Sequence, residues 1–109
     1  MRLLYKESQV AAAGDALNFT FKNAEMKMLI IKQVVLAAIS PAIPTTNYPA
    51  KFYIEKYDIG GTSITLDVVY TQFQALNYIQ NIALAPHEIF GVRVIDRGAL
   101  TWVFEVWGE

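Results

Sequence analysis

The sequence predicts an all-β domain: an antiparallel β-sandwich with jelly-roll-like topology and about seven or eight strands. Three observations lead there. Short runs alternate apolar and polar residues with a period of two, as in ALNFTFK at 16–22 and ITLDVVYTQF at 64–73. Turn signals built on Gly, Pro, Asn and Asp separate these runs. Strand and helix patterns do not alternate along the chain, which disfavours a parallel α/β sheet. With 109 residues and neither an internal repeat nor a linker, residues 1–109 read as one domain around one core.

Each element has its own signal. RLLYK at 2–6 reads as a short strand, and AAGD at 12–15 as a turn. ALNFTFK puts Leu17, Phe19 and Phe21 on one face and Asn18, Thr20 and Lys22 on the other, a half-buried strand. After the turn KNAE, the run MKMLIIKQVVLAAI at 26–39 is rich in β-branched residues and favours a strand, while its alanines leave a helix open. Lys27 and Lys32 are an odd number of residues apart, so one strand face cannot hold both. A bulge, or an end exposed on both sides, resolves the conflict.

SPAIPTTNYPA at 40–50 contains Pro41, Pro44 and Pro49, which exclude a regular ladder and favour a stiff, extended loop. KFYIEKYD and ITLDVVYTQF flank Gly60-Gly61 and predict a hairpin, the second strand placing Ile64, Leu66, Val68 and Tyr70 on one face. QALNYIQNIAL at 74–84 fits either a helix or a long connection that enters a strand near Asn81. APHE at 85–88 is a turn. IFGVRVID and ALTWVFEVW then pair as a closing hairpin across Arg97-Gly98.

Composition narrows the function classes. Only 17% of residues are charged, against roughly 25% in an average domain, while 54% are hydrophobic. A small domain with so little charge leaves apolar groups at its surface, which suits contact with another protein. Nine basic and ten acidic residues are spread evenly, so no basic stripe suggests nucleic acid. Cysteine is absent, which removes disulfides, thiolate nucleophiles and Cys-based metal sites. The opening MRLLYKESQVAAAG lacks the apolar core of a signal peptide, and Lys32 and Pro41 interrupt the most apolar run before it could span a bilayer.

No reaction is written in the remaining residues. His87 is the single histidine and lies in a turn, with Glu88 as its only adjacent metal-ligating neighbour. Ser8, Ser40 and Ser63 occupy no nucleophile-elbow context, and IGGTS lacks the lysine and spacing of a phosphate loop. Asp58, Asp67, Asp96 and Glu105 form no recognisable acid pair. The expectation is a non-enzymatic protein without cofactor or metal.

Aromatic residues are the one remaining constellation. Phe19, Phe21, Phe52, Phe90, Trp102 and Phe104 alternate with polar residues or share faces with aliphatic ones, as core residues do. Tyr53 and Tyr57 lie opposite Phe52 and Ile54, and Val103 and Trp107 lie opposite Leu100, Trp102, Phe104 and Val106. If the second set of each pair fills the core, the first faces outward. The expected contact residues are therefore Tyr53, Tyr57 and Trp107, the arm residues Pro41, Pro44, Tyr48 and Pro49, and Arg97 as a polar rim. Exposed aromatics also stack on sugars, which keeps open a carbohydrate- or receptor-binding module.

GDALNFTF near the start and LNYIQNIALAPHEIFGVRVIDRGALTWVFEVWGE at the end together resemble small virion β-sandwich proteins of tailed bacteriophages, namely capsid decoration (cement) proteins and tail accessory proteins. The family-like turn Pro-Gly-Asp or Pro-Gly-Glu is here Pro86-His87-Glu88. The resemblance implies a structural protein of the virion, made in the host cytoplasm. It further implies a homo-oligomer, with a trimer favoured, that binds a major capsid or other virion protein and stabilises the assembled shell. A membrane partner is not expected, and a glycan remains a further candidate.

Overall fold

The computed structural model describes residues 1–10, 16–40, 50–71, 75–95 and 101–109. Nine strands are found among them: β1 Arg2–Val10, β2 Ala16–Lys22, β3 Leu29–Ser40, β4 Ala50–Tyr57, β5 Ser63–Thr71, β6 Ala75–Tyr78, β7 Ile82–Leu84, β8 Ile89–Ile95 and β9 Thr101–Gly108. They form two antiparallel sheets packed face to face. The first sheet has the order β1-β9-β3-β6, with β7 also on β3, and the second has the order β2-β8-β4-β5.

The pairing is nested. β4 pairs with β5, β3 with β6 and β7, β2 with β8, and β1 with β9, as though one long hairpin were rolled around its tip. That tip is the Gly60-Gly61 turn anticipated from the sequence. The Asp58 carboxylate accepts the Thr62 amide at 2.9 Å, and its carbonyl accepts the Gly61 amide at 3.0 Å. Gly61 supplies the positive φ of 84° that the turn needs.

Period-two patterning accounts for the core. Leu17 and Phe19 from β2 and Phe52 and Ile54 from β4 point inward, as do Phe90, Val92 and Val94 from β8 and Trp102, Phe104 and Val106 from β9. All of these are buried. Phe19 meets Phe104 across the sandwich at 5.4 Å between ring centroids, and Phe52 meets Trp102 edge-on at 6.1 Å, both within the favourable aromatic range.

Several expectations need correction. Strands β8 and β9 do not form a closing hairpin: β8 lies between β2 and β4 in the second sheet, and β9 between β1 and β3 in the first. Both carry a large inward-facing apolar row, and the two rows face each other across the core instead of lying side by side. For residues 75–84 the strand alternative holds and the helical one does not: β6 and β7 both lie on β3, and β7 starts at Ile82, next to the anticipated Asn81. The first strand continues to Val10, well past the expected Lys6, because β9 offers it a full-length partner.

Bulges explain two breaks in alternation. Ile31 and Val34 are both fully buried although they are three positions apart, an odd offset that strict alternation forbids. The register against β9 slips between Ile31 and Gln33, leaving Lys32 as the extra residue, one of the two solutions anticipated for the lysines. Lys27 lies outside the strand altogether. A second bulge at Leu66 splits the expected apolar face of β5. Val68 and Tyr70 stay in line with Tyr53 and Lys51 on the outer face, whereas Ile64 falls in line with Lys56 on the other. As a result Ile64, Leu66 and Tyr70 are all exposed, and Val69 is the β5 residue that packs on the core.

The turn before β8 has a telling defect. The Glu88 amide donates to the Ala85 carbonyl at 3.1 Å, and His87, in the third position of this four-residue turn, has a φ of 69°. An L-residue in the left-handed region costs about 1 kcal/mol that glycine avoids. His87→Gly is therefore expected to stabilise the protein by about 1 kcal/mol, raising Tm by a few degrees. A melting curve that does not move would show that the histidine side chain compensates for the strain.

Candidate functional site

The predicted contact residues do not come together. Pro41, Pro44, Tyr48, Pro49 and Arg97 lie outside the described residues. Trp107 lies on the outer face of the first sheet, whereas Tyr53 and Tyr57 lie on the outer face of the second, so the sandwich separates them. The two tryptophans divide as anticipated: Trp102 is fully buried and Trp107 half-buried on the opposite face of β9.

The outer faces have different chemistry. Around Trp107 the register places Leu3 and Gln33 on either side, then Val35, Val103 and Ala37 along the sheet. Glu105 accepts the Trp107 indole N–H at 3.1 Å and pairs with Lys6 at 3.4 Å, so the ring is held against the sheet. Leu3, Val10 and Ile39 are exposed near its borders. Lys6, Ser8, Gln33 and Asn77 share this face, Gln33 donating to Asn77 at 2.8 Å, so an apolar stretch around Trp107 is bordered by polar residues.

The outer face of the second sheet is polar and largely self-satisfied. Register brings Asn18, Arg93, Tyr53 and Val68 into one row, and Thr20, Gly91, Glu55 and Thr65 into the next. Arg93 stacks on Tyr53, 4.2 Å from its centroid, and its Nε donates to the nearly buried Glu55 at 3.2 Å. The Lys51 ammonium lies 4.9 Å from the Tyr53 ring and 5.3 Å from the Tyr70 ring. Hydrogen bonding to Tyr53, then to Tyr70, raises its pKa above the ordinary lysine value. Tyr57 lies close to Gly91, its ring 3.4 Å from where a Cβ there would stand. Sequence reading found the two tyrosines, but Arg93, Glu55 and Lys51 join them only through pairing between strands.

One concave feature lies between the sheets, on the side where β5 and β6 are the edge strands. It is a cleft of about 400 Å³ with Lys56 and Leu66 on one wall and Tyr78, Gln80, Asn81 and Ile82 on the other. Tyr78 donates its hydroxyl to Asp67 at 2.9 Å and so ties the two sheets together. Burial, then this carboxylate, pushes the phenol pKa up, which keeps it a donor. Lys56 pairs with Glu88 at 3.1 Å and donates to the Ala83 carbonyl at 3.3 Å. The Ala85 amide, with the Lys56 ammonium adding to it, holds the Glu88 carboxyl below the usual range, so the lysine charge is neutralised locally. On the opposite side of the sandwich, Gln9 donates to the Asn18 carbonyl at 3.0 Å and joins β1 to β2.

Among the described residues, no group of three or more His, Cys, Asp or Glu side chains could hold a metal ion. His87 is exposed, and the carboxylate beside it is committed to the Ala85 amide and Lys56. No protein-family model, curated protein or solved structure matches the chain.

Proposed function

We propose that this chain is a non-enzymatic structural protein of a virion, a capsid decoration (cement) component that self-associates, with a trimer favoured, and binds an assembled shell. The observation that carries this reading is the difference between its outer faces: the Arg93–Tyr53–Glu55 face is polar and self-paired, whereas the other carries an apolar stretch of Leu3, Val35, Ala37, Val103 and Trp107 among its polar residues. A sheet face of that kind gains most when a partner covers it. The nested strand pairing supports a jelly roll, an architecture common in viral coat proteins. Synthesis in the host cytoplasm and residence in the virion belong to the same proposal.

Light scattering of the purified chain over a concentration series tests it. A stable oligomer is expected, and Trp107→Ala should reduce it to monomer at micromolar concentration while the circular dichroism of the β-sandwich is kept. A wild-type monomer that also fails to sediment with capsid shells would overturn the reading. A second reading, a carbohydrate-binding module, is favoured by one feature, the cleft at the β5–β6 edge, where the amide side chains of Gln80 and Asn81 lie beside the aliphatic Leu66 and Ile82.

A further inference from the structure

We infer that the cleft between the sheets is a binding site for a neutral, hydroxyl-rich ring of pyranose size, held by the amides of Gln80 and Asn81 on one wall against the aliphatic side chain of Leu66 on the other. This inference rests on the second, sugar-binding reading and gives it a location. The argument begins with how the cleft arises. β6 stops at Tyr78 and β7 starts at Ile82, so residues 79–81 leave the sheet while the strands on either side stay paired to β3. Opposite them the β5 bulge puts Leu66 out of register. Two local irregularities thus face each other across the sheet edge, and together they open a gap that regular strands would close.

Size and polarity then select the ligand. At about 400 Å³ the gap falls near the low end of the roughly 300–1,000 Å³ typical of small-molecule sites. Its ionic groups are already spent. Lys56 is paired with Glu88, while Asp67 accepts both the Val68 amide at 2.8 Å and the Tyr78 hydroxyl. A charged ligand would have to compete with these bonds. Gln80 and Asn81 are exposed, and among the described residues neither side chain has a hydrogen-bond partner. A primary amide offers donors and an acceptor on one planar group, as vicinal hydroxyls do in return. Leu66 is 42% exposed, which leaves an aliphatic surface free for the C–H face of a sugar ring. The outer-face tyrosines suit this task less well, because Lys51 and Arg93 already cover Tyr53.

The test is a titration of ¹⁵N-labelled protein with methyl glucoside, methyl galactoside, N-acetylglucosamine and glucuronate, followed by NMR. At least one neutral sugar should shift the side-chain amide signals of Gln80 and Asn81 and the backbone amide of Ala83. A double variant, Gln80→Ala with Asn81→Ala, should weaken that binding at least about tenfold while its remaining spectrum is unchanged, because both residues are exposed. Glucuronate bound tenfold more tightly than the neutral sugars would overturn the assignment of a neutral ligand. If a sugar binds but shifts signals around Tyr53 and Tyr70 instead, the cleft is wrong and the sugar-binding reading survives. If none of the four binds, both fail.

Discussion

Asn23→Ala is expected to cost this domain about 3 kcal/mol, seen as a lower urea midpoint with an unchanged slope. Asn23 is completely buried in the segment between β2 and β3. Its side-chain nitrogen donates to the carbonyls of Lys27 and Leu84, each at 2.9 Å, and its side-chain oxygen accepts the Glu25 amide at 2.9 Å. Its backbone adds two more bonds, from its amide to the Glu88 carbonyl at 3.0 Å and from the His87 amide to its carbonyl at 2.7 Å. The side chain therefore closes its own loop and fastens it to β7, while the backbone of the same residue fastens it to the turn before β8. Alanine keeps the backbone bonds but strands three groups, of which the Leu84 carbonyl is the most deeply buried. Burying an unpaired polar group costs about 1–3 kcal/mol, and water can reach the two loop groups more easily. Asn23→Asp should be no better, because a carboxylate cannot donate to two carbonyls. A loss below about 1 kcal/mol in both variants would mean that the loop rearranges and finds other partners.

Gly108→Ala should be comparably damaging, at about 2–4 kcal/mol. Gly108 pairs with Arg2 on β1 and Ile31 on β3, next to the bulge at Lys32. A Cβ at this position would run into the Ile30 carbonyl oxygen and come within 3.1 Å of the Ile31 Cα. Both obstacles are backbone, so no rotamer change relieves them. The chain end would have to leave β3 and break the reciprocal 2.9 Å bonds between Ile30 and Glu109. Thermal unfolding measures the loss, and accelerated amide exchange at Ile30 and Glu109 locates it. Gly60→Ala is the control, since a Cβ there would meet only the Asp58 carboxylate, at 3.4 Å. Equal losses in the two variants would refute the steric account.

The same contrasts show how far residue patterns reach. Asn23 was legible only as part of a turn, because its value lies in Leu84, 61 residues away along the chain. Gly108 carried no signal, since neither a turn nor a positive φ demands it; the demand comes from a neighbouring backbone. His87 was different. Its place after Pro86, where the family-like turn has glycine, marked a departure in sequence that the structure locates at a positive φ.

At the candidate sites the limit is similar. Alternation alone placed Tyr53, Tyr57 and Trp107 outside the core, and all three are half-buried on outer faces. It did not reveal that they occupy opposite sides of the sandwich. Nor did it reveal the cleft, whose walls are two interruptions of regular pairing, at Leu66 and at 79–81.

The sequence by itself determined the all-β class, the tip hairpin, and which residues of most strands face inward, Trp102 among them. These follow from a local rule: successive side chains of a strand point to opposite sides, and the apolar side must leave water. Only the tertiary structure decided which strands are neighbours. An inward-facing row looks the same whether its partner lies beside it in one sheet or across the core in the other. That ambiguity produced the false closing hairpin of β8 and β9, which the full-length pairings of β1 and β3 with β9 resolve.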